Sequence, residues 1–268
     1  MKLTVLVDNN TYIDQYYWGE PGLCIYLEDG DRKILLDTGY SEIFMHNARL
    51  MDIDLSGLTD IVFSHGHNDH TRGLAFFWRE QDLRDVVLTA HPDIFLPKEH
   101  DDLDIGTPFT EEDAAKHMRL RLFRAPVKLS EHLTWLGEIP RTVPFENNIG
   151  IGRYRRNLKW YPDDLIDDTA LVYEGEEGLF VITGCSHSGI CNIISYAEDM
   201  YKKPVTGVIG GFHLMQADTR LTQTVKFLKE HVHGTCYPCH CVCLAAKHEM
   251  MNELQVAEVA TGMKMEIL

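Results

Sequence analysis

The sequence predicts an α/β protein arranged as a four-layer αβ/βα sandwich, with two mixed sheets face to face and helices flanking them outside. Three observations predict it. Strand-like segments joined by a tight turn come first. Strands alternating with helical stretches follow. The chain has 268 residues, 44% of them hydrophobic, enough to bury a sizeable core.

The elements follow in order. Residues 1–9 read as a first strand. Residues 23–27 run into Glu28-Asp29-Gly30-Asp31 and 33–37 return, an Asp-Gly hairpin signal. A helix is expected over 41–51 with Ser41 as its N-cap. A short apolar strand at 60–63 delivers a histidine-rich loop, and 71–77 begin the helix leaving it. After a strand at 86–90, residues 91 to about 110 carry scattered Pro and acidic residues and read as irregular, and a lid or insertion is expected around 91–118. Strands are expected at 119–123, 133–136, 171–174 and 179–183. A helix at 190–201, a strand at 206–209, helices at 219–229 and 243–251, and a last strand at 256–259 complete the reading. No repeat, low-complexity tract or flexible linker interrupts the chain, so 1–268 is taken as one domain.

Charge and composition exclude several functions. The formal charge of −16 opposes approach to a polyphosphate backbone, so nucleic acid is not an expected partner. No apolar stretch approaches a membrane span, and the N-terminal residues carry no export-signal pattern, which places the protein in the cytoplasm. Two basic patches run against the trend: Arg119, Arg121, Arg124 and Lys128, and Arg153, Arg155 and Arg156. They are either solvated surface or counter-charge for a small anionic partner.

The most informative residues are His65-Gly66-His67-Asn68-Asp69-His70, directly after Ile61-Val62-Phe63. Histidine is a mediocre former of helix and strand, and clustered imidazoles repel when protonated. A divalent metal offsets that cost, since neutral imidazole and carboxylate are its natural ligands. His65 and His67 can turn toward one ion while Asp69 and His70 aim at a second. Two ions about 3.5–4 Å apart can hold a water as hydroxide. One loop cannot close two coordination spheres, so further ligands must come from strand ends in the second half. His187, in Thr183-Gly184-Cys185-Ser186-His187, is such a candidate. His213, after the paired glycines Gly210-Gly211, is a candidate for contacting substrate or donating a proton.

The complete His-x-His-x-Asp-His pattern at 65–70 resembles the signature of the metallo-β-lactamase superfamily, and Asp37-Thr38-Gly39 resembles its Asp-Thr-Gly element. The resemblance implies that Asp37 hydrogen-bonds the histidine loop from beneath without touching metal. It implies His187 as completion of the first ion's shell and His240 as the final ligand of the second. Where many members carry an Asp bridging both metals after a Thr-Gly, this chain has Cys185, so either a thiolate bridges or water or another residue fills the place. Thr-Gly-Cys-Ser-His-x-Gly-Ile followed by Asn192, then Gly-Gly-Phe-His-Leu and Cys-His-Cys, resemble one branch of the superfamily. Ile139-Pro140-Arg141, Phe145-Glu146 and 167–171 extend that similarity. The branch includes the archaeal dihydropterin-ribofuranosylaminobenzene phosphate synthases of methanopterin biosynthesis.

The functional expectation is therefore a metal-dependent hydrolase acting on a small anionic molecule, possessing two divalent ions, zinc first with manganese or iron as alternatives. Asp69 would also manage protons. The branch implies an alternative, a pterin-type transferase or synthase in which Arg141 or Arg153 holds a phosphorylated substrate. A third reading rests on Cys236, Cys239, Cys241 and Cys243, four thiols that suit an iron–sulfur cluster or a zinc in a redox or metal-sensing protein.

Overall fold

The computed structural model describes residues 1–146 and 150–268. Its first large sheet has seven strands, in the order Lys264–Glu266, Lys2–Val7, Cys24–Asp29, Arg32–Leu36, Asp60–Val62, Val87–Ala90 and Arg119–Leu122. The first three junctions are antiparallel and the last three parallel. The second has six strands. Val232–Pro238, Val205–Gly210 and Leu179–Thr183 run parallel, and Ala170–Glu174, Leu133–Trp135 and Val127–Lys128 continue antiparallel.

Period-two alternation along the strands makes the layers. Ile25, Leu27, Ile34, Leu36 and Val62 from the first sheet meet Trp135, Leu171, Ile182 and Ile209 from the second between the two sheets. Cys24, Tyr26, Leu35 and Ile61 point outward instead, under the helices Ile43–Leu50 and Leu74–Glu80. Val172, Val181 and Val208 pack outward in the second sheet, beneath Ile190–Tyr201, Thr219–His231 and Leu244–Glu253. The predicted four layers and two mixed sheets are present.

Several local expectations need correction. A third sheet, which the sequence reading lacks, is antiparallel in the order Lys159–Pro162, Arg153–Arg156, Lys98–His100 and Leu103–Asp104. The stretch expected to be irregular thus contributes a hairpin to it and holds a 3-10 turn at Pro92–Phe95, and the helix Glu111–His117 follows within the segment expected as a lid. Short, polar strands paired to a distant hairpin leave little periodicity to read. The first helix starts at Ile43 rather than Ser41, and the residue before it, Glu42, makes no side-chain cap. The Ser41 hydroxyl donates to Glu20 at 2.6 Å while its oxygen accepts the Ile43 amide at 3.3 Å, so Ser41 still serves the helix start from one residue further out. The last strand is Lys264–Glu266; the 256–259 segment makes only an isolated bridge from Val256 to Cys236. No helix of the described residues is long and apolar enough to cross a membrane.

A buried ion-pair group bolts the third sheet to the histidine loop. Lys98, 2% exposed, donates to Asp167 at 2.7 Å and lies 3.0 Å from Asp163. Asp167 in turn accepts the Gly66 amide at 2.9 Å. Burial works against charge on both Lys98 and Asp167, but their mutual attraction prevails: the Lys98 pKa is raised and that of Asp167 lowered. Breaking such a group leaves an uncompensated buried charge. Lys98→Met should therefore cost about 3–5 kcal/mol in urea denaturation. A loss below 1 kcal/mol would show that the pair is expendable.

Candidate metal centre

All the candidate ligands sit on one edge of the sandwich, at the C-terminal ends of strands, where open α/β sheets present ligand-binding loops. Arg32–Leu36 ends in Asp37, Asp60–Val62 in the histidine loop, Leu179–Thr183 in the Cys185–His187 turn, and Val205–Gly210 in His213. Val232–Pro238 ends in Cys239-His240-Cys241. Face-to-face packing then opposes loops that lie more than a hundred residues apart in sequence.

Two groups of rings result. In the first, the His65 ring lies 4.6 Å from that of His67 and 4.7 Å from that of His187, and His67 and His187 are 4.8 Å apart, measured between centroids. In the second, His70 Nε2 stands 3.1 Å from His240 Nε2 and 3.1 Å from Cys185 Sγ. Asp69 Oδ2 is 3.3 Å from His240 Nε2. The ligand atoms of Asp69, His70, Cys185 and His240 lie within 4.8 Å of one another, as do those of His65, Cys185 and His187, so Cys185 stands between the groups.

The donor set fits divalent ions. His65 Nε2, His67 Nε2 and both ring nitrogens of His187 are buried with no hydrogen-bond partner among the described residues. Each orphaned polar atom costs roughly 1–3 kcal/mol, a cost that a coordinated cation removes. Burial, reinforced by neighbouring imidazoles or Lys98, pushes His65 and His187 well below the ordinary histidine range and His67 to about 3. These rings are therefore neutral at pH 7, the form that ligates metal. Burial also presses His70 downward, but the Asp69 and Asp37 carboxylates outweigh it and raise it to about 9. The carboxylates that hold a proton there would equally favour a cation.

Asp37 organises the loop beneath. It is fully buried and accepts the Ser64 amide at 2.8 Å, the Ser64 hydroxyl at 2.6 Å and His70 Nδ1–H at 2.6 Å. Nδ1 of His70 is thus occupied and Nε2 is turned to the cluster. Ser64 Oγ also lies 3.0 Å from His65 Nδ1, leaving that ring's Nε2 for metal. Gly184 closes on this arrangement from the opposite sheet: a Cβ there would meet Ser64 Oγ at 2.1 Å.

The centre floors a cleft of about 700 Å³ whose walls include Tyr40, Ile105, Ile151, Met215 and Val242. His213 lines it with its ring 4.6 Å from that of His187. Burial, with Arg220 and His240 adding to it, lowers His213 to about 4. No Lys or Arg is among the described residues lining the cleft. The structure does not bring Arg141 or Arg153 there. Arg141 donates to the carbonyls of Asp164 and Leu165, and Arg153 pairs with Glu99 while stacking on Trp160.

The four thiols do not converge, which corrects the iron–sulfur reading. Cys236 packs under the outer helices and Cys239 between the sheets, on opposite faces of one strand and its extension. Cys243 Sγ accepts the Ala246 amide as a helix cap. Cys241 turns into the cleft, accepting the His213 amide at 3.3 Å. Burial raises the Cys185 thiol; in Cys241 the hydrogen bond with Cys185 and nearby His240 overcome burial and draw the thiol down. Sequence reasoning missed Cys241 as a cleft residue, and also Asp8 and Asn9, which grip His240; two polar residues ending an apolar strand were the available signal.

The metallo-beta-lactamase superfamily profile matches residues 17–199, and the chain belongs to that superfamily. Among its relatives, the 7,8-dihydropterin-6-methyl-4-(beta-D-ribofuranosyl)-aminobenzene-5'-phosphate synthase of Methanocaldococcus jannaschii is 31% identical, over 95% of this chain and 92% of its own. An uncharacterized protein of the same archaeon is 32% identical over 89% of this chain and 90% of its own. The crystal structure of Tm1679, described as a metal-dependent hydrolase of the beta-lactamase superfamily, superposes with a TM-score of 0.87 at 28% identity, covering 99% of this chain and 98% of that one.

Asp37→Ala should lower metal affinity about 10–100-fold with the fold retained, because it frees His70 Nδ1 and Ser64 together. Gly184→Ala should act in the same direction by displacing Ser64. Competition with a chromophoric chelator checks both, and wild-type affinity in Asp37→Ala would refute the role given to that carboxylate.

Proposed function

We propose that this protein is a metal-dependent hydrolase acting on a small anionic, phosphate-bearing molecule. The observation that carries the reading is the convergence of His65, His67 and His187 beside Asp69, His70, His240 and Cys185 at the floor of one cleft. The first three residues would hold one divalent ion and the other four a second, with zinc the metal that this nitrogen- and sulfur-rich set suits best. Ions bound there supply Lewis acidity, neutralising an anionic group and acidifying water.

The chain's own residues do the rest. The absence of Lys and Arg from the described lining leaves the substrate's charge to the floor of the cleft, while Tyr40, Ile105, Ile151, Met215 and Val242 receive an uncharged body. His213 is neutral at pH 7 and can take up a proton beside His187. Asp69, its pKa held low by His70 and His240 against the effect of burial, stays ionised beside His240 Nε2. His100 and Ile105, at the 98–104 hairpin, line the cleft, and the 91–118 segment would act as a lid within a single domain.

A second reading, a pterin-type synthase using the same centre, is supported by the archaeal relative, which is similar along nearly the whole chain. A flat aromatic substrate suits the apolar wall. The absence of the expected Asp at Cys185 also weighs against routine hydrolysis.

Phosphodiesters and lactones, supplied to the metal-loaded protein, should be hydrolysed. Activity should vanish with chelator and in His67→Ala. His213→Gln should lower the rate roughly 10²–10⁴-fold with metal content unchanged. Formation of an intact pterin product with no hydrolysis of any ester or lactone would overturn the hydrolase and establish the synthase.

A further inference from the structure

The geometry points to Asn9 as the positioning residue that selects which ring nitrogen of His240 faces the metal centre. Asn9 follows the first strand, Lys2–Val7, and lies outside the stretch matched by the superfamily profile. Its Oδ1 lies 2.9 Å from His240 Nδ1. An amide oxygen only accepts, so this bond requires the proton on Nδ1, and the lone pair of the neutral ring is then on Nε2. That nitrogen is the one 3.1 Å from His70 Nε2 and 3.3 Å from Asp69 Oδ2.

The neighbouring residue fixes the other half of the geometry. Asp8 is fully buried, and its Oδ1 accepts the His240 amide at 2.8 Å, holding a residue whose φ of 52° lies in the left-handed region. Asp8 is itself secured by Thr261, whose hydroxyl accepts the Asp8 amide at 3.0 Å. Asp8 thus sets where His240 sits, and Asn9 sets where its proton sits. Without an acceptor at position 9, the neutral ring can carry its proton on Nε2. A proton there bonds to Asp69 and blocks coordination.

This role rests on the reading that Asp69, His70 and His240 hold a divalent ion, and one experiment separates the two. The apo protein is titrated with zinc against a competing chelator. Long-range nitrogen–proton NMR spectra of His240 report its tautomer. The wild type should bind two ions. Asn9→Leu, of similar volume but with no acceptor, should bind one of them about 10–100-fold more weakly and the other unchanged, with His240 showing a mixture of tautomers. Asn9→Asp keeps the acceptor, so it should restore both the affinity and the Nδ1–H tautomer. Wild-type affinity for both ions in Asn9→Leu, or an equal loss in Asn9→Asp, would overturn the role of Asn9 alone. A wild type that takes up no zinc would overturn the metal reading and this role with it.

Discussion

Asp37 is the constraint on which the centre depends. It leaves the strand Arg32–Leu36 with a φ of 59°, a left-handed conformation that costs an ordinary residue roughly 1–2 kcal/mol. The return is three hydrogen bonds to a buried carboxylate, from the Ser64 amide, the Ser64 hydroxyl and His70. Hydrogen bonds to charged groups are worth about 1.5–3 kcal/mol each, so the strain is outweighed. His70 directly, and His65 through Ser64, are thereby turned the same way, with Nδ1 engaged and Nε2 left toward the cluster.

The second constraint is the meeting of the two sheets. Each has parallel strands whose C-terminal ends carry loops, and the inter-sheet core brings those ends to one edge. Gly184 shows how close the approach is, since its missing side chain leaves room for Ser64 and Asp37. The Lys98–Asp167 pair performs a similar task, tying Gly66 to the third sheet. The histidine loop is therefore gripped by three sheets, although little of this arrangement beyond the candidate ligands and Asp37 announces itself in the sequence.

The electrostatics follow from that enclosure. So many imidazoles in one enclosed place would be intolerable as cations, and burial keeps His65, His67, His187 and His213 neutral. His70 differs because two carboxylates face it. Cationic side chains are kept out of the described cleft lining, and the surface arginines spend their charge on Glu99, Asp93 and main-chain carbonyls. A substrate's negative charge would thus find its partner only at the floor of the cleft, which would focus binding on the place where chemistry can occur.

The sequence by itself determined most of the strand-and-helix order, the α/β sandwich and the candidate ligands. Alternating apolar residues and a dense His-Asp motif are local patterns, legible without knowing what lies opposite. Asp37 was legible too, through its resemblance to a known element. The third sheet, the grip of Asp8 and Asn9 on His240, the turn of Cys241 into the cleft and the exclusion of Arg141 and Arg153 were decided by tertiary structure. Each depends on a partner distant in the chain, Asn9 on His240 and Lys98 on Asp167 among them. The scattering of the four thiols has the same cause: strand pleating sends Cys236 and Cys239 to opposite faces, however close their spacing looks.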